Sequence, residues 1–555
     1  MIDAETARAA VSDTSAGGSG AGVRRRLRRH RLALGLTALV AACGVGLQYV
    51  LMVPPLYFDP YYVWLAARDW PHIPLEQWPF SEVPHQVTRV GLVLLPHQVT
   101  RVGLVLPARL AQEVLGPGQA AYFTVTALGV ALFFTGCFLA VRSLFGNLAG
   151  LASVLVILVN PLFTMTNPFG HELGWSTGVM LPDMPGAGLF SLGMAALVTA
   201  SRRSGRGRTR WLLAAGTCYG LAFLSREFVA FMFVAIPVFL VLLRIPWRRN
   251  VTVGIPMAAI FVADLVHNQL VWGNPLAGLI SAAEHGGLSR DHVTRGLAAE
   301  SFLRAFHDWS PLGSVFIAAV ALAVAGWLVT RDRRLLLALV WFLALAVPIT
   351  LLSGVLDPKS ISLRAWLPRY WDAVLPAILG GGFGAVALLW RRVSDRSRNR
   401  LRTPAALAAT VLAAGYVVMC VRAVPDLPRD TAWNELRTWL RGRNDITTIY
   451  SDRRLAQTLT FYTRDPWGRT TWNGRIESWP HDHYSLPVEA FSAPVLWTRW
   501  RGQESQILGG WSPTAEKGWR RLWRSSDGLL QIWDHPSTLG RTPPVTTPPE
   551  RSDLH

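Results

Sequence analysis

Carboxylates and arginines stand at the ends of apolar runs in this chain. Asp59 lies in Leu56-Tyr57-Phe58-Asp59-Pro60-Tyr61-Tyr62-Val63-Trp64, just past the first long run. An acid at a membrane–water boundary carries a raised desolvation cost, so it is rarely kept there without a task. The aromatics beside it, Tyr62 among them, suit an interface and offer faces on which a sugar ring stacks. The plainer reading is a helix cap inside an aromatic belt. His171, Glu172 and Asp183 follow in a second polar segment, with Asp183 in Leu181-Pro182-Asp183-Met184-Pro185 where the next run begins. Arg226-Glu227 separates two short runs, and Arg364, Arg369 and Tyr370 lie in Arg364-Ala365-Trp366-Leu367-Pro368-Arg369-Tyr370 at the start of another. An arginine grips a phosphate bidentately, and a carboxylate takes the proton of an acceptor hydroxyl. Acids and arginines at a bilayer surface therefore suit transfer from a lipid-linked phosphate donor. Each has a simpler alternative: Arg226 and Glu227 pairing with one another, Arg369 snorkelling to the interface.

The elements that must position these groups are membrane helices. The chain has 555 residues, 51% hydrophobic and only 16% charged. Long apolar runs punctuated by arginine clusters describe a polytopic helical membrane protein. The formal charge of +19 would suggest nucleic acid in a soluble chain, but the excess sits in short loops between runs, where it signals orientation. No nucleic-acid partner is expected. Lys359 and Lys517 are the only lysines, a bias that fits a GC-rich bacterial genome. The four cysteines, Cys43, Cys137, Cys218 and Cys420, all lie inside apolar runs and suit neither a metal site nor a disulfide framework.

Residues 1–31 read as a disordered tail that ends in the basic cluster Arg24 to Arg31, which holds the amino terminus in the cytoplasm. The run Leu32 to Val53 then exits, so Asp59 lands outside. Residues 54–118 form an outer segment of short amphipathic pieces. Within it Pro-His-Gln-Val-Thr-Arg-Val-Gly-Leu-Val-Leu occurs twice, at 84–94 and 96–106. Two copies are too few for a solenoid and read as a tandem duplication, with one of His85 and His97 redundant. Thereafter the basic clusters fall on one side throughout, which gives about eleven helices across 32–422. Trp211 to Ser225 and Phe228 to Leu243 are short for full crossings and read as a hairpin tipped by Arg226-Glu227.

Residues 423–541 change character and read as a small extracytoplasmic α/β domain. The expected elements are a strand through Ile446–Tyr450, a helix over Arg454–Tyr462 and a hairpin over Trp519–Trp533. Residues 542–555 read as a disordered Thr/Pro-rich tail.

These motifs resemble the GT-C superfamily of polyprenyl-phosphate-sugar-dependent glycosyltransferases, in particular the branch of protein O-mannosyltransferases and the lipid A aminoarabinose transferase. Asp59-Pro60-Tyr61 is similar to the family's catalytic acid at the start of its first outer loop, although Pro60 stands where a second acid is usual. Asp183-Met184-Pro185 is similar to its acid ahead of a helix. Gly220 to Glu227 is similar to its Gly-Leu-Ala segment ending in a basic residue, and Pro368-Arg369-Tyr370 to its Arg-Tyr segment.

The resemblance implies an integral membrane glycosyltransferase of the cell envelope that transfers a hexose or pentose with inversion. Asp59 and Asp183 would be catalytic. Arg226 and Arg369 would bind the donor phosphate, and Tyr62, His171, Glu172, Glu227, Arg364 and Tyr370 the substrates. The implied partners are a polyprenyl-phosphate sugar, a glycan, lipid or protein acceptor, and membrane lipid. No cofactor is expected, and no metal; with Pro60 in the second acid's place a divalent ion is not assumed. The rival class is a lipid or polysaccharide transporter, or a non-catalytic scaffold for envelope assembly. A transporter would carry polar or broken helices through the midplane. Here, apart from Asp264 and His267, the runs are nearly free of charge.

Overall fold

The computed structural model describes residues 19–51, 58–71, 87–90, 93–96, 100–164, 180–284, 306–351, 367–393, 395–423, 430–479, 491–498 and 513–536. Two bodies follow one another along the chain, a helical bundle and a five-stranded α/β unit. The bundle comprises α1 (Ser19–Leu51), α2 (Phe58–Asp69), α3 (Val102–Leu115), α4 (Gln119–Phe145), α5 (Asn147–Val159), α6 (Asp183–Ser201), α7 (Gly205–Ser225), α8 (Ile236–Leu242), α9 (Asn250–Trp272), α10 (Ala277–Glu284), α11 (Ser314–Thr330), α12 (Arg333–Thr350), α13 (Leu375–Arg392) and α14 (Asp395–Arg422). Tightly wound 3-10 helices, Glu227–Ala235 and Pro368–Val374, precede α8 and α13.

Among the described residues seven helices are long and apolar enough to cross a membrane, and three more apolar helices are shorter. The expected figure of about eleven helices, which already counted Trp211 to Ser225 and Phe228 to Leu243 as short, is not reproduced one for one by these. Gly205–Ser225 has the length of a span, but its first turns carry Arg206, Arg208 and Arg210. A second correction concerns the amino terminus: the first helix begins at Ser19, so the cluster Arg24 to Arg31 is helical and not part of a disordered tail.

Close backbone approach holds the centre of the bundle together. A Cβ on Gly188 would meet the Leu132–Phe133 backbone at 2.6 Å, and one on Gly136 would meet the Gly188 carbonyl at 2.3 Å. Small residues at such a crossing let α4 and α6 pack where lipid provides no hydrophobic drive. The arginines gather at one end of the bundle and donate to helix-terminal carbonyls, which have no partner within their own helix. Arg334 reaches Leu144 O at 3.2 Å, Arg392 reaches Val329 O at 2.9 Å, and Arg202 bonds Ser143 O. Asp183, Arg226 and Arg369 lie at the opposite ends of these helices.

The second unit has strand order β2 (Arg475–Trp479), β1 (Thr448–Asp452), β3 (Val495–Thr498), β5 (Leu530–Asp534), β4 (Arg520–Arg524), parallel on one side and antiparallel on the other. The helices α15 (Asp430–Leu440) and α16 (Arg453–Tyr462) join through a stacked Trp433–Tyr462 pair at 5.4 Å. The expected strand, helix and hairpin all occur, the strand displaced by two residues. Of the eight tryptophans whose side chains are described here, Trp433, Trp472, Trp497 and Trp519 are buried, Trp439, Trp523 and Trp533 half-buried, and Trp467 exposed.

This unit packs against α2, which corrects the reading of the Asp59 stretch as an open aromatic belt. Tyr61, Tyr62 and Trp64 are wholly buried. Trp64 meets Phe461 edge-on at 5.2 Å, and Gln112 Nε2 donates to Trp64 O at 3.0 Å from α3. Aromatic rings with no exposed face are packing residues, so Tyr62 is not an accessible sugar platform here. Burial pushes the Tyr61 hydroxyl above its ordinary range, which keeps it neutral. Gly116 completes the junction: its φ of +79° and its approach to Trp467 O, 1.8 Å from where a Cβ would stand, leave room only for glycine. Replacing Trp64 by Ala should remove about 3–5 kcal/mol of stability. Thermal unfolding together with protease release of the carboxyl-terminal unit measures it, and an unchanged profile would refute the junction.

Candidate functional site

Asp183 opens α6 and Arg226 closes α7, two antiparallel neighbours, so both face the same end of the bundle. The two helices can bring them together because position 186 is glycine; a Cβ there would meet Arg226 Cβ at 2.8 Å. Arg226 Nε stands 3.0 Å from Asp183 Oδ1, with the side chains 6% and 1% exposed. Distance alone makes this an ion pair, but no N–H points along the contact. Neither Asp183 oxygen has an aligned hydrogen bond, and nor does Arg226 Nε. More than nine in ten buried polar groups are hydrogen-bonded, so the contact rests on charge and not on an aligned hydrogen bond.

Aromatics wall the cation. Arg226 Cζ lies 4.9 Å from the ring centres of both Phe228 and Tyr370, which are themselves 5.3 Å apart. Arg369 Cζ is 5.5 Å from the Tyr370 centre, so two guanidinium groups share one ring. The helical turn Pro368–Val374 that presents them is tied down where Trp341 Nε1 donates to Ala373 O at 3.1 Å. Cation–π contact contributes about 2 kcal/mol when desolvated, and here it fixes the planes of both arginines.

Glu227 does not pair with Arg226. It accepts from Arg101 Nε, at 3.1 Å to Oε1 and 3.3 Å to Oε2. Arg101 is buried at 4% exposure and lies in the second copy of the duplicated segment. Sequence reasoning missed it, since an identical arginine, Arg89, stands in the first copy. The available signal was the duplication itself, which marked this stretch without saying which copy is engaged.

The structure thus brings Asp183, Arg226, Glu227, Arg369 and Tyr370 together. The Asp59 backbone lies in the first turn of α2. Residues of that helix share a packed cluster with Tyr122 and with Met180, three positions before Asp183. Met180 N–H donates to the Tyr122 hydroxyl at 2.9 Å. The Asp59 side chain, His171, Glu172, Arg364, His85 and His97 lie outside the described residues. Among the described residues no three His, Cys, Asp or Glu side chains gather as a metal site would require.

One glycine tests the geometry with a change of sign. Gly186→Ala should destabilise the protein by about 1–3 kcal/mol, because the added methyl meets a Cβ that cannot move without opening the ion pair. Gly415→Ala, where nothing lies within 4 Å, should be neutral or stabilising. Thermal unfolding in detergent reads both, and equal effects would show that the α6–α7 approach is looser than described.

No curated protein matches the chain. The backbone is similar to that of ArnT from Cupriavidus metallidurans bound to undecaprenyl phosphate, at 16% identity over 92% of this chain and 99% of that one, with a TM-score of 0.49. It is also similar to the archaeal oligosaccharyltransferase AglB from Archaeoglobus fulgidus in complex with an inhibitory peptide and a dolichol-phosphate, at 13% identity over 91% and 74%, TM-score 0.49. Over residues 106–272, which include Asp183, Arg226 and Glu227, the chain matches the dolichyl-phosphate-mannose-protein mannosyltransferase family, in keeping with the GT-C resemblance of its motifs.

Proposed function

We propose that this protein is a multi-pass membrane glycosyltransferase that moves a sugar from a polyprenyl-phosphate donor to an acceptor hydroxyl on the extracytoplasmic side. In this reading the arginine-lined end of the bundle faces the cytoplasm, with the amino terminus. The site end and the carboxyl-terminal unit face outward. The observation that carries the reading is the buried Asp183–Arg226 pair: a carboxylate beside a guanidinium that packs against two adjoining rings, with Arg369 close to one of the same rings.

The reaction is a single displacement. The acceptor oxygen attacks the anomeric carbon from the face opposite the phosphate, and its proton passes to the Asp59 carboxylate. The bond from the anomeric carbon to the phosphate oxygen breaks with its electron pair on that oxygen, and the configuration inverts. Arg226 and Arg369 stabilise the departing polyprenyl phosphate, which needs little protonation to leave. Asp183 holds Arg226 in register and accepts hydrogen bonds from sugar hydroxyls. The family match over 106–272 supports the donor class, since that family is described by a dolichyl-phosphate sugar. No step calls on a metal or other cofactor.

Membranes containing the protein, incubated with a labelled polyprenyl-phosphate sugar, should place label on an acceptor. Asp59→Asn and Asp183→Asn should each lower transfer by about 100-fold or more at unchanged expression, the scale of a lost general base or a lost charge contact. Label that only changes leaflet would replace the transferase by a transporter. Full activity in Asp59→Asn would move the base to another group.

A further inference from the structure

The duplicated sequence adopts two structures. In the first copy Val87–Val90 pairs antiparallel with Val93–Pro96, a strand that ends on the first residue of the second copy, whereas farther along the second copy a turn at Thr100-Arg101 leads into the helix Val102–Leu115. Identical residues have identical propensities, so context decides. The second copy runs directly into Pro107-Ala108-Arg109-Leu110-Ala111-Gln112-Glu113, mostly strong helix formers. That extension is held down by Gln112 on Trp64 O and by Arg109 on Arg68 O at 2.5 Å. Each copy is followed by a proline (the first by way of Leu95), and the second copy's helix runs through its own, Pro107, so the difference lies beyond it: Pro96 leads into His97, Gln98 and the β-branched Val99 and Thr100 in place of the helix formers 108–113.

Among the described residues, the helical copy reaches the site. Gly103 lies against the last turn of α7, where a Cβ would meet Ser225 N at 2.6 Å and Leu224 C at 2.7 Å. Thr100 and Arg101 are buried beside it, and Arg101 holds Glu227 through both carboxylate oxygens. The corner Ser225-Arg226-Glu227 is therefore gripped from both sides, by Asp183 on one residue and by Arg101 on the next.

We propose that Arg101 is a positioning residue, which orients the Arg226 corner by holding Glu227, and that residues 84–95 are an expendable spacer. The proposal rests on the transferase reading for its activity measurement but not for its physical core. Removing residues 84–95 joins Val83 to Pro96 and leaves a single copy of the repeat.

The test uses the full chain in membranes, with sugar transfer and thermal unfolding measured on the same preparations. Deletion of 84–95 and Arg89→Ala should each keep transfer within about twofold of the parent. Arg101→Ala should lower it at least thirtyfold. The reciprocal exchange Arg101→Glu with Glu227→Arg should recover at least tenfold over either single change, which a purely structural loss would not do. Melting temperatures of the two single variants should be non-additive with that of the double, as expected for groups in contact. Should the parent transfer no sugar at all, that non-additivity still decides whether Arg101 holds Glu227. The proposal is overturned if Arg89→Ala is the damaging change, if only loss of both arginines is damaging, or if the exchange recovers nothing.

Discussion

The arrangement turns on a charge pair that neither partner could support alone. Taking an ion out of water costs several kcal/mol, and a lone buried carboxylate or guanidinium would be expelled or neutralised. Two features of the helices offset that cost. Asp183 sits in the first turn of α6, where the helix dipole favours negative charge, and Arg226 caps α7, where it favours positive charge. Because α6 and α7 are antiparallel neighbours, their favourable ends coincide, and Gly186 lets the side chains meet. The pair is therefore a property of two whole helices. Its hydrogen bonding is imperfect, so the compensation comes from the two helix ends and from the charges themselves.

A constraint from outside the bundle acts on the same region. The helix that begins at Phe58-Asp59 is not held by lipid; it is wedged between α3 and the carboxyl-terminal unit, with Tyr61, Tyr62 and Trp64 as the wedge. Gly116 and Gly118 bring the start of α4 onto the loop around Trp467, and Ala120 N–H donates to Pro466 O at 2.9 Å. The carboxyl-terminal unit thus sets where the first turn of α2 stands, while the bundle sets where Asp183 and Arg226 stand. Tyr122, which touches Phe461 on one side and Met180 on the other, connects the two.

The division of labour explains what could be read from the chain in advance. Positive clusters after apolar runs reveal helix ends directly, because arginines cap terminal carbonyls and stay on one side of a bilayer. The grouping of Asp183, Arg226 and Arg369 at one end of the bundle follows from that periodicity. Partners within the group were not legible. Adjacency suggested Arg226 with Glu227, but successive residues at a helix end diverge, and each found a mate from another helix. The aromatics near Asp59 were misread for a related reason: an apolar face looks the same whether it meets lipid or a protein unit encoded 370 residues later, at Trp433 and beyond.

The duplicated segment carries the same lesson furthest, since composition cannot separate the copies at all. What distinguishes Arg101 from Arg89 lies downstream, in a helix anchored at Gln112 and Arg109, and across the bundle, in the α7 end that receives Gly103. An insertion placed upstream of an anchored helix lengthens only the connection to α2. Loop-closure entropy grows slowly, by about 0.6 kcal/mol for each doubling of length. The same insertion placed after Gly103 would rotate Leu104, Val105 and Ala108 off the face they share with α2 and break the register of the corner. On the proposed reading the extra residues fall upstream of Arg101, where they lengthen a connection and leave the register of the anchored helix as it is.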